Sequence, residues 1–578
     1  MIFYNLILPA YLLSCVKASS PGKRVDEPQV TIYPSTSDGQ GIILTGITFP
    51  QFGQNVFLST PYAEPPVGDL RFRPPEAKVF NASSYAATSQ PPACLQLNNT
   101  LIGSFGVSED CLYLNVFTPQ GWGPNSPPLP VMVYVHGGAF QAGGISGYNA
   151  TAILERGIAT NRPVIFVAIA YRLNILGFGS GSDIAANGAA NLGLKDLQLG
   201  FQWVQENIWA FGGDPTQVTA FGQSAGATAI TLLYLNQNTT LFRSAIMESG
   251  AQGTTPIGPT STTWQATYDL FAEFSGCMAP ASTSTHATVG SRDSAGSNTT
   301  TFDCIKALSA EAIVDATASV VNLTSLTGRF IYAPSIDGEI ITDSPHTLLA
   351  EGKFSKLPFI TGNCVDEGTP FVPTSVTNET QVGMYIDSFE PVPPNTTVLQ
   401  DLFQVYPDDP SLGSPYGTGN ETFGLAPEFK QIASIFGDAL FQANRRWLLK
   451  QARDHGQPKI WSYLWTEPPI GISPPYQGVA HGCEVYYVYG FVRAETGYNA
   501  EQVALAQRVE DYWLNFAYFS DPNGQSNLAL TYWPTYGSNL TMLEFAAGND
   551  TLIVDEYRKE QMDFLNDNPK AFNYRRGL

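Results

Sequence analysis

VTAFGQSAGATAITLLYL, residues 218–235, is the stretch on which the fold turns. Val218 to Phe221 is β-branched, apolar and aromatic, as a buried strand is, while ATAITLLYL after the glycines reads as a helix. Between them, Gly222-Gln223-Ser224-Ala225-Gly226 has the spacing G-x-S-x-G. Glycine and serine are common enough that such a pentapeptide arises by chance on the order of 0.3 to 0.5 times per chain, so the flanks carry the argument. A strand turning sharply into a helix strains the serine backbone and projects Ser224 from the carboxyl end of a sheet, and the small neighbours let strand and helix approach closely. The alternative reading of this stretch is an ordinary glycine-rich loop.

Working outward, VMVYV at 131–135 and VIFVAIA at 164–170 are short, wholly apolar runs, and Leu194, Leu197, Phe201, Val204 and Ile208 recur at helical spacing. Further strand candidates are LPFIT at 357–361 and IWSYLW at 460–465. Uninterrupted apolar strands alternating with helices predict an α/β fold with a mostly parallel sheet covered on both faces. No linker or internal repeat divides the chain, so residues 21–578 read as a single domain with insertions. One insertion is the Ser/Thr-rich surface excursion between Cys277 and Cys304.

A serine hydroxyl needs a base, and in this type of fold the chain order is Ser, acid, His. Of the five histidines, His136 precedes Ser224, His286 lies in the Ser/Thr-rich excursion, and His346 stands ahead of the best acid. His455 sits in a polar helical stretch. His481, in GVAHGCEVYYVYG, is favoured, on a loop at the sheet's edge. The strand LPFIT runs out into Asp366 and Glu367, and on residue chemistry either carboxylate serves. Backbone donors for a developing oxyanion come from Gly137, Gly138 and Ala139 at the end of VMVYV, and from the amide of Ala225 after the nucleophile.

With 43% apolar and 14% charged residues among 578, the chain buries a large core. Its net charge of −21 argues against nucleic acid or anionic membranes as partners. Residues 1–20, MIFYNLILPAYLLSCVKASS, hold an apolar stretch too short to span a bilayer and end in small residues, as a secretory signal does, although their start lacks Lys and Arg. The alternative is a buried N-terminal strand. No later run is long enough for a transmembrane helix. Eleven Asn-x-Ser/Thr sites, Asn81, Asn98, Asn149, Asn238, Asn298, Asn322, Asn378, Asn395, Asn420, Asn539 and Asn549, predict a glycosylated exterior. Six cysteines remain after Cys15 departs with the signal, an even number that in an exported protein predicts disulfides. No metal-ligand spacing appears, and the chemistry requires no metal and no cofactor.

Seven blocks resemble the type-B carboxylesterase/lipase family, which includes the cholinesterases: PYAEPPVGDLRFRPPEA at 61–77, SEDCLYLNVFTP at 108–119, VHGGAF at 135–140, NLGLKDLQ at 191–198, FGGDPTQVTAFGQSAGA at 211–227, DEG at 366–368 and HGCE at 481–484. The resemblance implies the α/β-hydrolase fold and a triad of Ser224, Glu367 and His481, with Glu367 rather than Asp366 as the acid. It implies oxyanion donors at Gly138 and Ala139. Alanine departs there from the family's third glycine, which retains the amide and narrows the cavity. It implies that Ser249 supports the catalytic glutamate, that Arg71 pairs with Glu109, and that Cys94–Cys111 and Cys277–Cys304 are disulfides.

The resemblance also frames the substrate, a small-molecule ester. In the family's fungal lipases the loop matching LQLNNTLIGSFGVSED, residues 95–110, is longer and carries an amphipathic lid. Here it is short, holds a sequon and lacks Trp, which favours soluble or modest-sized esters over triacylglycerol droplets or choline. A lipase acting on longer acylglycerols and a non-catalytic binding protein of cholinesterase type are the alternatives. Oligomeric state is not encoded legibly. Finally, Cys364 lies three residues before Glu367 and Cys483 two after His481, so contact between acid and base would allow a third disulfide, Cys364–Cys483, clamping the two loops; the alternative is that both are free cysteines buried as small apolar residues.

Overall fold

The computed structural model describes residues 27–97, 105–148, 150–253, 257–278, 300–324, 331–389, 394–468, 471, 473–524, 530–569 and 571–572. The signal-like residues 1–20 and the sequons at Asn98, Asn149 and Asn298 lie outside them.

Eleven strands form one sheet. In chain order they are β1 (Ile47–Phe49), β2 (Gln54–Pro61), β3 (Tyr113–Pro119), β4 (Leu129–Val135), β5 (Ile165–Ile169), β6 (Gly213–Gln223), β7 (Ser244–Glu248), β8 (Phe359–Cys364), β9 (Ile460–Trp465), β10 (Thr541–Phe545) and β11 (Thr551–Val554). Their spatial order is β11-β10-β9-β8-β7-β6-β4-β5-β3-β2-β1. From β10 to β5 every neighbouring pair is parallel. Antiparallel pairings are confined to the two flanks. The apolar runs read from the sequence are the inner strands, and every residue of β4, β5, β7, β8 and β9 is buried.

Strand alternation separates the two faces. Val131, Val133 and Val135 of β4 pack with Leu194, Leu197, Phe201 and Val204 of helix α1 (Leu192–Asn207). The intervening Met132 and Tyr134 pack on the other face, in a cluster with Val509, Trp513 and Phe516 from a later helix, Ala500–Phe519. Each such apolar side chain contributes about 1.5–3 kcal/mol by leaving water, so a helix layer on each face is what makes these strands stable. Among the helices between these two in sequence, three bear on the site and are labelled α2 (Ala225–Tyr234), α3 (Glu428–Gly437) and α4 (Ala443–Asp454); the long helix Ala500–Phe519 is α5. A π turn, Asp438–Gln442, joins α3 to α4. These last elements carry a third apolar cluster, including Ile432, Phe436 and Phe441.

The run after β4 begins with His136, buried at 1% exposure and stacked on Tyr171 with ring centroids 4.4 Å apart. Its Nδ1 lies 2.8 Å from the Gly137 carbonyl oxygen, and Tyr171 Oη donates to the His136 carbonyl at 2.7 Å. Burial pushes the imidazole down to about 4, against the raising pull of the Gly137 carbonyl. The unfolded chain therefore binds a proton below about 6.5 that the folded chain accepts only near 4. This residue's contribution is fully present above pH 6.5 and is lost as pH falls toward 4, by on the order of 3 kcal/mol. Urea unfolding at pH 7 and pH 4.5 should show a smaller acid-induced loss for His136→Asn than for the wild type. An identical loss in both would mean that His136 does not contribute to acid sensitivity.

Candidate active site

Parallel register brings the ends of β4, β6, β7 and β8 into one row: Val135 pairs with Gly222, Gln223 with Glu248, and Glu248 with Gly362. The chain leaves β6 through Ser224, at φ 57° and ψ −126°. That left-handed region is costly for a residue with a Cβ and recurs at functional turns. Two hydrogen bonds hold it there, Ser224 N to the Glu248 carbonyl at 2.8 Å and Thr228 N to the Ser224 carbonyl at 2.9 Å. Packing demands glycine two residues later, because a Cβ on Gly226 would lie 2.0 Å from the Val135 carbonyl oxygen.

β8 ends at Cys364, and the two following carboxylates part ways. Glu367 Oε2 lies 2.5 Å from His481 Nδ1. Asp366 instead accepts from Ser414 Oγ at 2.9 Å, Tyr416 N at 2.8 Å and Val479 N at 2.9 Å. Burial pushes the Asp366 carboxyl up to about 6, with these three donors and Arg558 pulling it down. Asp366 is thus a staple: with Asp366 N donating to the Val479 carbonyl at 3.1 Å, it sews the segment leading into His481 alongside β8. The sheet-edge location expected for His481 is therefore corrected, since β8 is flanked by β7 and β9 in the middle of the sheet. The imidazole is bounded by Phe371 and Phe441, with centroids at 5.2 and 4.6 Å. Its Nε2 is 3.2 Å from the Gln223 side-chain nitrogen, next in sequence to Ser224.

The turn after β4 supplies backbone donors. Gly138 has φ 113° and a Cβ there would lie 2.0 Å from the Ala142 carbonyl oxygen, while Ala139 has φ 56°. The Gly138 carbonyl accepts from Gln141 N and Ala142 N, both at 2.9 Å, which fixes the turn. The amides of Gly138 and Ala139 donate to no acceptor among the described residues. Ala225 is the first residue of α2, where helix geometry leaves N–H groups without an intrahelical acceptor.

Behind the pair lies a buried acidic cluster that residue patterns did not reveal. Glu484 accepts from Ser249 Oγ at 3.1 Å and from Cys364 Sγ at 2.8 Å. Glu248 accepts from Trp513 Nε1 at 2.9 Å. Burial, reinforced by neighbouring carboxylates, raises both above the ordinary range, Glu248 strongly. Glu367 is itself held by Asn363 Nδ2 at 3.1 Å and Cys364 N at 2.8 Å. The expectation for Ser249 is corrected accordingly: its hydroxyl serves Glu484, not Glu367. The expected Cys364–Cys483 disulfide is also corrected. Both cysteines are free and buried, and burial raises both thiols well above the ordinary cysteine range. Cys364 Sγ is engaged by Glu484, and the loops are already joined through Asp366, Val479 and the Glu367–His481 contact.

The other described cysteines form the disulfides Cys94–Cys111 and Cys277–Cys304, with Cα separations of 5.0 and 5.6 Å. Arg71 grips Glu109 with Nε and Nη2 at 2.7 and 2.6 Å, and its Nη1 donates to the Lys306 carbonyl at 2.7 Å, beyond the second disulfide. The sequons at Asn81, Asn238, Asn322, Asn378, Asn395, Asn420, Asn539 and Asn549 are all exposed. Among the described residues no His/Cys/Asp/Glu cluster is arranged to hold a metal, and no helix is long and apolar enough to cross a membrane.

The pattern describing the carboxylesterase family matches residues 40–565. Secreted lipase 1 of Botryotinia fuckeliana is 34% identical over 551 residues, covering 89% of this chain and 90% of the relative. Lipase 2 of Geotrichum candidum is 32% identical over 555 residues, covering 88% and 91%. The crystal structure of Aspergillus niger EstA matches with a TM-score of 0.79 at 23% identity, over 95% of this chain and 99% of that one, a likeness of fold. The chain belongs to the carboxylesterase family and is a carboxylic ester hydrolase of the α/β-hydrolase fold.

Proposed function

We propose that Ser224 is the nucleophile, His481 its base and Glu367 the acid. The observation that carries this reading is the 2.5 Å contact between His481 Nδ1 and Glu367 Oε2 beside a serine at φ 57°. A carboxylate accepts, so Nδ1 carries the proton and Nε2 carries the lone pair, which faces the Gln223 amide NH₂ in this structure and takes the serine proton in the reaction. As Ser224 Oγ attacks the ester carbonyl, its proton passes to Nε2, and the amides of Gly138, Ala139 and Ala225 receive the oxyanion. Collapse expels the alcohol, which takes the proton from His481 and leaves an acyl-Ser224. Water activated by the same imidazole then releases the acid. No cofactor enters.

The preferred substrates are small esters of soluble or modest-sized acids and alcohols, on the ground that the Cys94–Cys111 loop is short. The lipase reading is kept beside it because relatives 34% and 32% identical are named lipases. Rates on tributyrin measured through its solubility limit separate the two, since a lipase jumps when droplets form and an esterase does not. Export and glycosylation at the exposed sequons are supported by the signal-like start and by a relative named as secreted.

Ser224→Ala should fold normally and lose on the order of 10⁴-fold or more in kcat on p-nitrophenyl esters. Normal turnover in that variant would end the acyl-enzyme account. Glu367→Gln should lose about 10³-fold or more, because the imidazole loses its anionic partner. Asp366→Asn should keep activity within about tenfold while losing about 1–3 kcal/mol of stability, since one amide edge must face a donor. Paired kinetics and unfolding midpoints check this, and equal losses of kcat would leave the acid unassigned.

A further inference from the structure

Asn363 lies on β8 at 1% exposure, with its two amide atoms committed in opposite directions. Its Nδ2 donates to Glu367 Oε1 at 3.1 Å, and its Oδ1 accepts from Arg445 Nε at 2.9 Å. An asparagine amide can present either atom to a neighbour, and its direction is set by what surrounds it. Here the surroundings permit one choice. A guanidinium only donates, so the carbonyl oxygen must face Arg445 and the NH₂ must face Glu367.

Arg445 cannot itself turn away. It is 1% exposed, and its remaining contacts are Ser462 Oγ at 2.8 Å, both oxygens of Asp555 at 2.8 and 2.9 Å, and Tyr557 Oη at 2.8 Å. With Asn363, those are five acceptors for five N–H donors. Asp555 is fixed in turn by Arg446 Nε at 2.8 Å and Tyr536 Oη at 2.9 Å, and its carboxyl is pulled down to about 2 by the two arginines against burial. The chain of contacts therefore runs from the end of β11, through α4 and β8, to the carboxylate that meets His481.

We propose that Asn363, oriented by Arg445, is a positioning residue for the hydrolytic reaction. It presents a fixed donor to one oxygen of Glu367 and so directs the other at the imidazole, and the segment carrying Asp555 and Tyr557 is part of that support. The proposal rests on Ser224, Glu367 and His481 acting as proposed above. Labelling wild-type Ser224 with a fluorophosphonate tests that reading separately.

Two variants test the proposal. Asn363→Ala removes the donor, and kcat should fall about tenfold or more with KM within threefold. Asn363→Asp keeps shape and keeps an acceptor for Arg445, but sets a second carboxyl against Glu367. The two can share a proton at low pH and repel once it is lost. The other titratable or charged groups around them are His481, Cys483 and Glu484 from the loop after β9, Cys364, Tyr463 and Arg445, and both enzymes contain all of these. The kcat deficit of Asn363→Asp relative to wild type should therefore widen from pH 6 to pH 9. Purely structural damage would give a constant ratio. Fluorophosphonate titration corrects each preparation for its fraction of competent sites. A kcat for Asn363→Ala within twofold of wild type, or a deficit for Asn363→Asp that does not change with pH, overturns the proposal. If Asn363→Asp does not fold, the kcat and KM of Asn363→Ala decide alone.

Discussion

Parallel pairing is the constraint from which the site follows. Parallel strands bury both faces and deliver their carboxyl ends to the same side, and a crossover is needed to return to the start. With Val135, Gly222 and the Gln223–Glu248–Gly362 row in register, each following residue emerges beside its neighbour. The donor turn after β4, the serine turn after β6 and the acid loop after β8 are thereby brought together without any of them packing independently. Positive φ values at Gly138, Ala139 and Ser224 fall at the first two of these exits, and Ser249 has another at the exit of β7 between them. A rigid sheet can sustain that local strain, at about 1–3 kcal/mol for each non-glycine residue.

Placing a carboxylate in such a dry location creates a charge problem. Glu248, Glu367 and Glu484 are each at most 1% exposed, and three close anions would repel one another strongly in a medium of low polarity. Their partners differ in kind. Glu367 faces the His481 imidazole, the base of the proposed mechanism, and accepts from a backbone N–H and an amide NH₂. Glu484 has a hydroxyl and a thiol, and Glu248 a single indole N–H. Deep burial and the neighbouring carboxylates push those two toward the neutral acid, against the pull of these donors, which relieves the repulsion within the cluster.

The sequence is informative where a signal is local. The apolar strands, the glycine spacing around Ser224 and the carboxylates just past LPFIT could each be read from neighbouring residues, and the structure brings Glu367 to His481 across 114 positions. What could not be read depends on contacts between distant segments. Asn363 looks like any polar residue at a strand end until Arg445 is folded over it, and Glu484 in HGCE carried no sign that Ser249 and Cys364 would meet it. The disulfide expectation failed for an instructive reason: loop proximity is necessary for a bridge, but Cys364 directs its sulfur to a carboxylate. Nor does any periodicity indicate that Asp366 and Glu367, adjacent in sequence, take different partners, Ser414, Tyr416 and Val479 for one and His481 for the other.

The imidazole itself is fixed by contacts of two kinds. Polar contacts determine its proton arrangement, since a carboxylate at Nδ1 and an amide NH₂ at Nε2 are compatible together with only one neutral tautomer. Apolar contacts determine its plane, with the Phe371 ring at 61° and the Phe441 ring at 40° to it. Phe441 owes its place to the π turn between α3 and α4, which inserts an extra residue into an otherwise continuous helix. The same turn directs Asp438 to Arg558 at 2.6 Å and Gln442 to the Cys364 carbonyl at 2.8 Å. An extra residue in one turn shifts the angular position of every residue after it relative to those before it, so the irregularity of α3–α4 bears directly on how Asp438, Phe441 and Gln442 meet their partners.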